Sequence, residues 1–287
     1  MDSNVQDGFP LQLPLTFRRN AVNKAKDVVE FFDEEHYYTI NGARMKYSCT
    51  GLLHNFFHKF NATEAASNMI SSPYFFKKQD KQPYWSIVRN NTKKEAVRLI
   101  IKMWNDDKND AATKGTAMHQ SIEDYYKEGK KVDTKEFGMF MNFHNHVTSK
   151  GYIPLRVEQI VWSTKYSLAG SVDMLYIHKS QLNKVVKEVY MCDWKRSKDV
   201  KTEAFHKKGA DIADSMGLGP MSDKPDCTYE HYALQLNIYK YLLERTYNIK
   251  IVKMHIIVLH PNQDEYKKMR VDDNKEAVRE ILATVRQ

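Results

Sequence analysis

The chain reads as a mixed α/β (α+β) protein, with a central mixed β-sheet flanked by helices and a helical N-terminal part. Three observations predict this. Residues 155–163, 168–178 and 185–194 are rich in Val, Ile, Leu and Tyr and are separated by turn residues, the pattern of an antiparallel three-stranded meander. The run Ile251-Val-Lys-Met-His-Ile-Ile-Val-Leu259 reads as a fully apolar strand buried in the sheet. Helical periodicity dominates the region before the meander and returns at about residues 228–247.

The elements follow in order. Residues 1–20 hold Pro10 and Pro14 with little periodicity and read as an irregular arm. Residues 37–47 suit a small hairpin turning on Asn41-Gly42, because two-residue turns need positive φ. Ser48 or Thr50 can cap a helix bearing Leu52, Leu53, Phe56, Phe57 and Phe60. A polar, aromatic connection with Pro73 and Pro83 covers residues 72–86. Separate helices are expected at about 92–104 and 110–126, and another at 134–149. A loop with Gly209, Gly217, Gly219, Pro220 and Pro225 precedes the helix at 228–247, and a last helix begins near Asp273. The domain reading is an arm at 1–36 followed by one domain at 37–287.

With 287 residues the chain can bury an ample core. No stretch approaches the ~20 apolar residues of a membrane span, so no membrane partner is expected. The formal charge of +8, from 44 basic and 36 acidic residues, favours a polyanionic partner. Cys49, Cys192 and Cys227 are widely spaced and odd in number, which fits a reducing intracellular compartment and argues against a disulfide framework. They are also too few for a four-cysteine iron–sulfur cluster. Asp2 and Asp7, with no apolar run, argue against a secretory signal. Arg18, Arg19, Lys24 and Lys26 leave mitochondrial import open as the weaker reading.

Four short motifs carry the chemistry. In Asp193-Trp-Lys195, at a strand end, the acid and the lysine project to one face. The carboxylate can hold a metal while the ammonium meets a phosphate oxygen or a water. An isolated D-x-K is more often a surface ion pair, which stabilises little. Asp173 follows Gly170 on the preceding strand among Val172, Met174 and Leu175, where an unpaired charge is costly. Two acids on neighbouring strands repel, and a divalent cation is a common reason to pair them.

His119 lies one helical turn after Gly115, and a glycine there costs helix stability unless a backbone or substrate approaches closely. Glu123, at i+4, is a candidate to orient the imidazole. Gln235 and Tyr239 share a helix face with Tyr232 and offer an amide and a ring to a nucleic-acid strand. Ordinary packing is the bland alternative for this pair.

In that order the motifs resemble the RecB-type branch of the PD-(D/E)xK nuclease superfamily, over roughly residues 104–260. The match pairs Gly115/His119, Glu158, Gly170/Asp173, Asp193/Lys195 and Gln235/Tyr239 with that branch's ordered motifs. Tyr37-Tyr-Thr-Ile-Asn-Gly and Ser48-Cys-Thr further resemble the opening of its small single-domain members, which include mitochondrial genome maintenance exonucleases and phage or viral enzymes. The resemblance implies a restriction-endonuclease-like core and a divalent metal at His119, Asp173 and Asp193. It also implies a metal contact from the Trp194 backbone carbonyl, with Lys195 beside the attacking water. Glu158, Gly170, Gly115 and Glu123 are supporting positions. Ser197 stands where many relatives carry threonine.

The expected activity is metal-dependent exonucleolytic hydrolysis of DNA, acting on a single-stranded or free end. Mg²⁺ is favoured by the oxygen-rich ligand set, and Mn²⁺ is acceptable with one imidazole. Arg196, Lys198 and Lys201 are candidate phosphate contacts. No base-reading module is apparent, which disfavours a sequence-specific enzyme. The rivals are a structure-specific endonuclease of the same fold and a silent nucleic-acid-binding module. A P-loop enzyme is disfavoured because no G-x-x-x-x-G-K-[ST] run exists.

Overall fold

The computed structural model describes residues 15–32, 35, 37–77, 83–205 and 212–285. Pro10, Pro14, Asp2, Asp7 and Gly209, named above, lie outside the described residues. Strands β1 (Val29–Phe32), β2 (Tyr37–Ile40) and β3 (Ala43–Arg44) form a small antiparallel sheet. Its β2–β3 turn places Asn41 and Gly42 at φ 53° and 77°, as the Asn-Gly pair requires. The expected arm thus contributes a strand, and Arg18 N–H bonds the Thr246 carbonyl at 2.9 Å.

Strand β4 (Tyr47–Ser48) leads into α1 (Cys49–Leu53), whose first turn is capped by Ser48 Oγ accepting from Gly51 N–H. The helix is shorter than its apolar spacing suggested. It tightens into a 3-10 turn at His54–Phe56, and Phe60 is exposed. Helices α2 (Ala62–Ser71), α3 (Pro73–Lys77) and α4 (Trp85–Asn90) follow. The stretch read as a connection is thus partly helical, with Pro73 at a first helical position where its missing N–H costs nothing.

The two helices expected at 92–104 and 110–126 are one 36-residue helix, α5 (Lys93–Glu128). Residues 105–109, all polar and exposed, lie between the two expected helices. They contain no Gly or Pro to stop a helix. Residues 59–117 form one compact unit, whose core joins Ala66, Ile70 and Phe75 to Ala96, Val97 and Ile100.

The other unit comprises residues up to His58 and from Met118 onward. After α6 (Lys135–Ser149), capped by Thr134, come β5 (Tyr152–Ser163), β6 (Leu168–His178) and β7 (Lys187–Lys195), the expected antiparallel meander. Helix α7 (Thr228–Thr246), strands β8 (Ile249–Val258) and β9 (Lys267–Arg270), and helix α8 (Lys275–Thr284) complete it. The sheet order is β4-β6-β7-β8-β9, with β5 on the other edge of β6. The β4–β6 and β7–β8 pairs are parallel and the rest antiparallel, so the sheet is mixed. The first half of β8 is not fully buried: Lys250, Val252 and Lys253 face solvent.

One apolar cluster joins this sheet to α1, α7 and α8. A second joins it to the end of α5 and to α6. Inside the second, Tyr126 Oη meets His144 Nδ1 at 3.0 Å and Tyr176 Oη at 2.6 Å, a fully buried polar trio. Burial pushes the His144 imidazole down to about 4, so it stays neutral at neutral pH. This is a mixed α/β fold. Among the described residues no helix is long and apolar enough to cross a membrane.

Candidate metal centre

The hairpin joining β5 to β6 sets the site. Its strands pair from Ser163↔Leu168 through Gln159↔Val172 and Val157↔Met174, so Glu158 stands opposite Asp173. Extending the β6–β7 register one residue past Met174↔Cys192 brings Asp193 opposite Asp173 from the other side. Three carboxylates therefore cross the sheet in one row. Glu158 adopts φ 47°, a left-handed conformation unusual for a non-glycine strand residue. Ser171 Oγ donates to Glu158 Oε2 at 2.6 Å.

Helix α5 adds His119. Its Nδ1 lies 3.6 Å from Asp173 Oδ2 and 3.8 Å from Glu158 Oε1, and its Nε2 lies 3.0 Å from the Trp194 carbonyl oxygen. With the ring protonated, Nε2–H donates to that carbonyl and Nδ1–H faces the two acids, and a metal bound at Nδ1 would take that proton's place. One ligand atom each from His119, Glu158 and Asp173 lies within 4.8 Å of the others. The ligand set implied by the resemblance is thereby altered. Glu158, a supporting position there, joins His119 and Asp173, whereas Asp193 stands outside the trio and is engaged by Lys195.

The middle residue of Asp193-Trp-Lys195 explains the rigidity of this strand end. The Trp194 indole is buried against Phe140 and Phe143 of α6, each ring 5.6 Å away in edge-on contact. Its peptide is held on both sides, because Trp194 N–H donates to Asp173 Oδ2 at 2.6 Å and its carbonyl meets His119. The carbonyl thus faces His119.

Lys195 Nζ lies 2.6 Å from Asp193 Oδ2 and 4.9 Å from the centre of the Tyr232 ring. Among the described residues both Asp193 carboxylate oxygens are buried without a hydrogen-bond partner.

Electrostatics follow from this crowding. Burial pushes the Asp173 carboxyl up, and the Asp193 charge adds to it, to about 8. For His119, burial opposes protonation, but the Asp173 and Glu158 charges outweigh it and raise the imidazole to about 9. Burial likewise opposes the charge on Lys195, yet Asp193 and Asp173 hold it above its usual value. Glu158 is penalised by burial too, and the His119 ring and Ser171 hydroxyl still bring it below the carboxylate range.

Other expected site residues are placed differently. Tyr239 is buried, 3% exposed, and Gln235 Nε2 donates to its hydroxyl at 2.9 Å. Neither side chain of this pair presents a surface for a base to stack on, so the packing alternative describes them. Gly170 is explained by the same ring: a Cβ there would lie 2.8 Å from Tyr239 Cε1 and 2.9 Å from Cys49 Sγ. Gly115 has no such reason, since a Cβ would meet nothing within 4 Å among the described residues.

Glu123 pairs with Lys127 and does not orient His119; the Trp194 carbonyl and the two acids do. Arg196 is 12% exposed, and its Nε donates to Glu136 Oε1 at 2.8 Å, which ties the end of β7 to α6. That guanidinium is a structural clamp and not a free phosphate contact. Lys198 and Lys201 are exposed, the latter paired with Asp199. Counting back across the Ser163↔Leu168 turn would have placed Glu158 against Asp173 from sequence. Ser171 carries no such signal.

The chain matches no protein-family model, and no curated protein matches it. Among solved structures it is similar to the crystal structure of SSO0001, at 12% identity over 83% of this chain and 72% of that one, with a TM-score of 0.27. A likeness that slight carries no argument about activity.

Proposed function

We propose that this protein is a divalent-metal-dependent deoxyribonuclease of the PD-(D/E)xK type, acting as an exonuclease on single-stranded or free DNA ends. The observation that carries the reading is the row Glu158–Asp173–Asp193, flanked by His119 and Lys195. Asp173 and Asp193 are buried and Glu158 is partly so, with His119 and Lys195 facing them; crowded acids of this kind also suit a divalent cation. The donor set of carboxylates, one imidazole and a backbone carbonyl fits Mg²⁺ or Mn²⁺.

Asp173, Glu158 and His119 would hold the ion, with the Trp194 carbonyl and Asp193 at its margin. Such an ion, when bound, lowers the pKa of water and offsets phosphate charge. The chain supplies the rest. His119 is aimed by its Trp194 contact, and Trp194 N–H steadies the Asp173 carboxylate. Lys195 stays charged against Asp193 and Asp173 and is positioned to orient a water or to stabilise charge developing on phosphorus.

Incubating end-labelled single-stranded DNA with the full chain, with and without Mg²⁺ or Mn²⁺, tests this. Degradation that requires the metal is expected. Strand binding without cleavage in either metal would favour the silent binding module instead.

A further inference from the structure

With Gln235 and Tyr239 in the core and Arg196 clamped, the strand needs another seat. A cleft of about 330 Å³ opens beside β2 and β4, lined in part by Tyr38, Arg44, Lys46, Tyr47, Ser48 and Asn55. That is the small end of the range for ligand pockets, about 300–1,000 Å³. It adjoins the acid row. Tyr47 and Ser48 pair with Leu168 and Ala169 of β6, the strand that carries Asp173, and Cys49 packs where a Gly170 side chain would stand. Tyr38, in the cleft wall, is held above its usual pKa by burial and by the charges of its neighbours, Glu158 and Asp173 among them.

The cleft joins cations to rings. Arg44 lies 3.9 Å over the Tyr37 ring, and Phe32 stacks on that ring at 4.7 Å with planes 8° apart. A guanidinium stacked on a ring keeps its N–H edge available to a phosphate. Lys46 Nζ lies 5.2 Å from the centre of the half-buried Tyr47 ring. Both cations are exposed, and neither has an acidic partner among the described residues. Phe31 and Phe32 are 39% and 38% exposed on the adjoining strand. Rings interleaved with free cations suit a polynucleotide with unpaired bases, in which phosphates meet the cations and bases meet the rings. A duplex keeps its bases stacked on one another and gains only the phosphate contacts.

We infer that this cleft is the single-strand subsite of the proposed nuclease, with Arg44 and Lys46 gripping backbone phosphates and Tyr47 carrying a base, an assignment that rests on the function proposed above. Binding of a labelled oligo-dT strand to full-length Lys195→Ala protein, followed by anisotropy across a salt series, tests it. Adding Arg44→Gln and Lys46→Gln should weaken binding by about tenfold or more. It should also flatten the log-affinity against log-salt slope by about 1.4, at ~0.7 per phosphate contact. An abasic strand should bind the parent several-fold more weakly than oligo-dT. Unchanged affinity and slope in the double variant, or equal binding of the abasic strand, would overturn the subsite while leaving the nuclease reading intact. Wild type that neither binds nor cleaves the strand would remove both. Both substituted side chains are exposed, and unfolding midpoints matching the parent will show that the fold is kept.

Discussion

Two places in the larger unit bury polar groups, and they do so in opposite ways. Tyr126, His144 and Tyr176 satisfy one another at 2.6–3.0 Å among apolar and aromatic neighbours. Glu158, Asp173 and Asp193 are lined up so that Asp193 and Glu158 disfavour the charge on Asp173, while His119 and Lys195 face the row. A closed network of neutral groups specifies packing. An open row of like charges spends stability, and a cation is the simplest agent to recover it. Burial of polar groups is common to both; only the second crowds acids together.

The contrast can be tested from its largest consequence to its smallest. Lys195→Ala should lower metal-dependent cleavage by about 10²–10³-fold or more while strand affinity holds. Retained cleavage would remove Lys195 from the chemistry. Tyr126→Phe leaves His144 Nδ1 and the Tyr176 hydroxyl without their partner, and should cost about 1–3 kcal/mol in urea unfolding with cleavage unchanged. A loss of rate at unchanged stability would place the trio in the working site.

Asp173→Asn should act in the reverse sense. Without metal it relieves two like-charge neighbours and should raise stability by on the order of 1 kcal/mol. Its amide oxygen can still accept from Trp194 N–H. Mg²⁺ or Mn²⁺ should then raise the unfolding midpoint of wild type but not of this variant. A variant less stable than wild type in chelator would mean that the acid row is ordinary structure.

Much of this arrangement was legible in the chain. Runs rich in Val, Ile, Leu and Tyr marked β5, β6 and β7, and the short motifs hold His119, Asp173 and Lys195, which the fold brings to one place. The misreadings have physical causes. The polar stretch at 105–109 looks like a break because helix formation there is not reported by an apolar face. The Gln235/Tyr239 spacing shows a shared helix face but not what covers it, and Cys49 and Gly170 belong to distant parts of the chain. Arg196 was read as free because its partner, Glu136, lies 60 residues away. Glu158 could have been ranked higher by counting across its hairpin, since register, unlike burial, follows from turn position.

Gly170 and Asp173 are three residues apart and look like one signature, yet they answer to separate demands. The glycine makes room for the Tyr239 ring and Cys49 Sγ, and the acid belongs to the row beside His119. Selection can therefore act on them independently. A descendant that lost the acid but kept the glycine would fold the same way and still carry half of the motif. Inheritance of Gly170 traces the architecture; only Asp173, with Lys195, traces the chemistry.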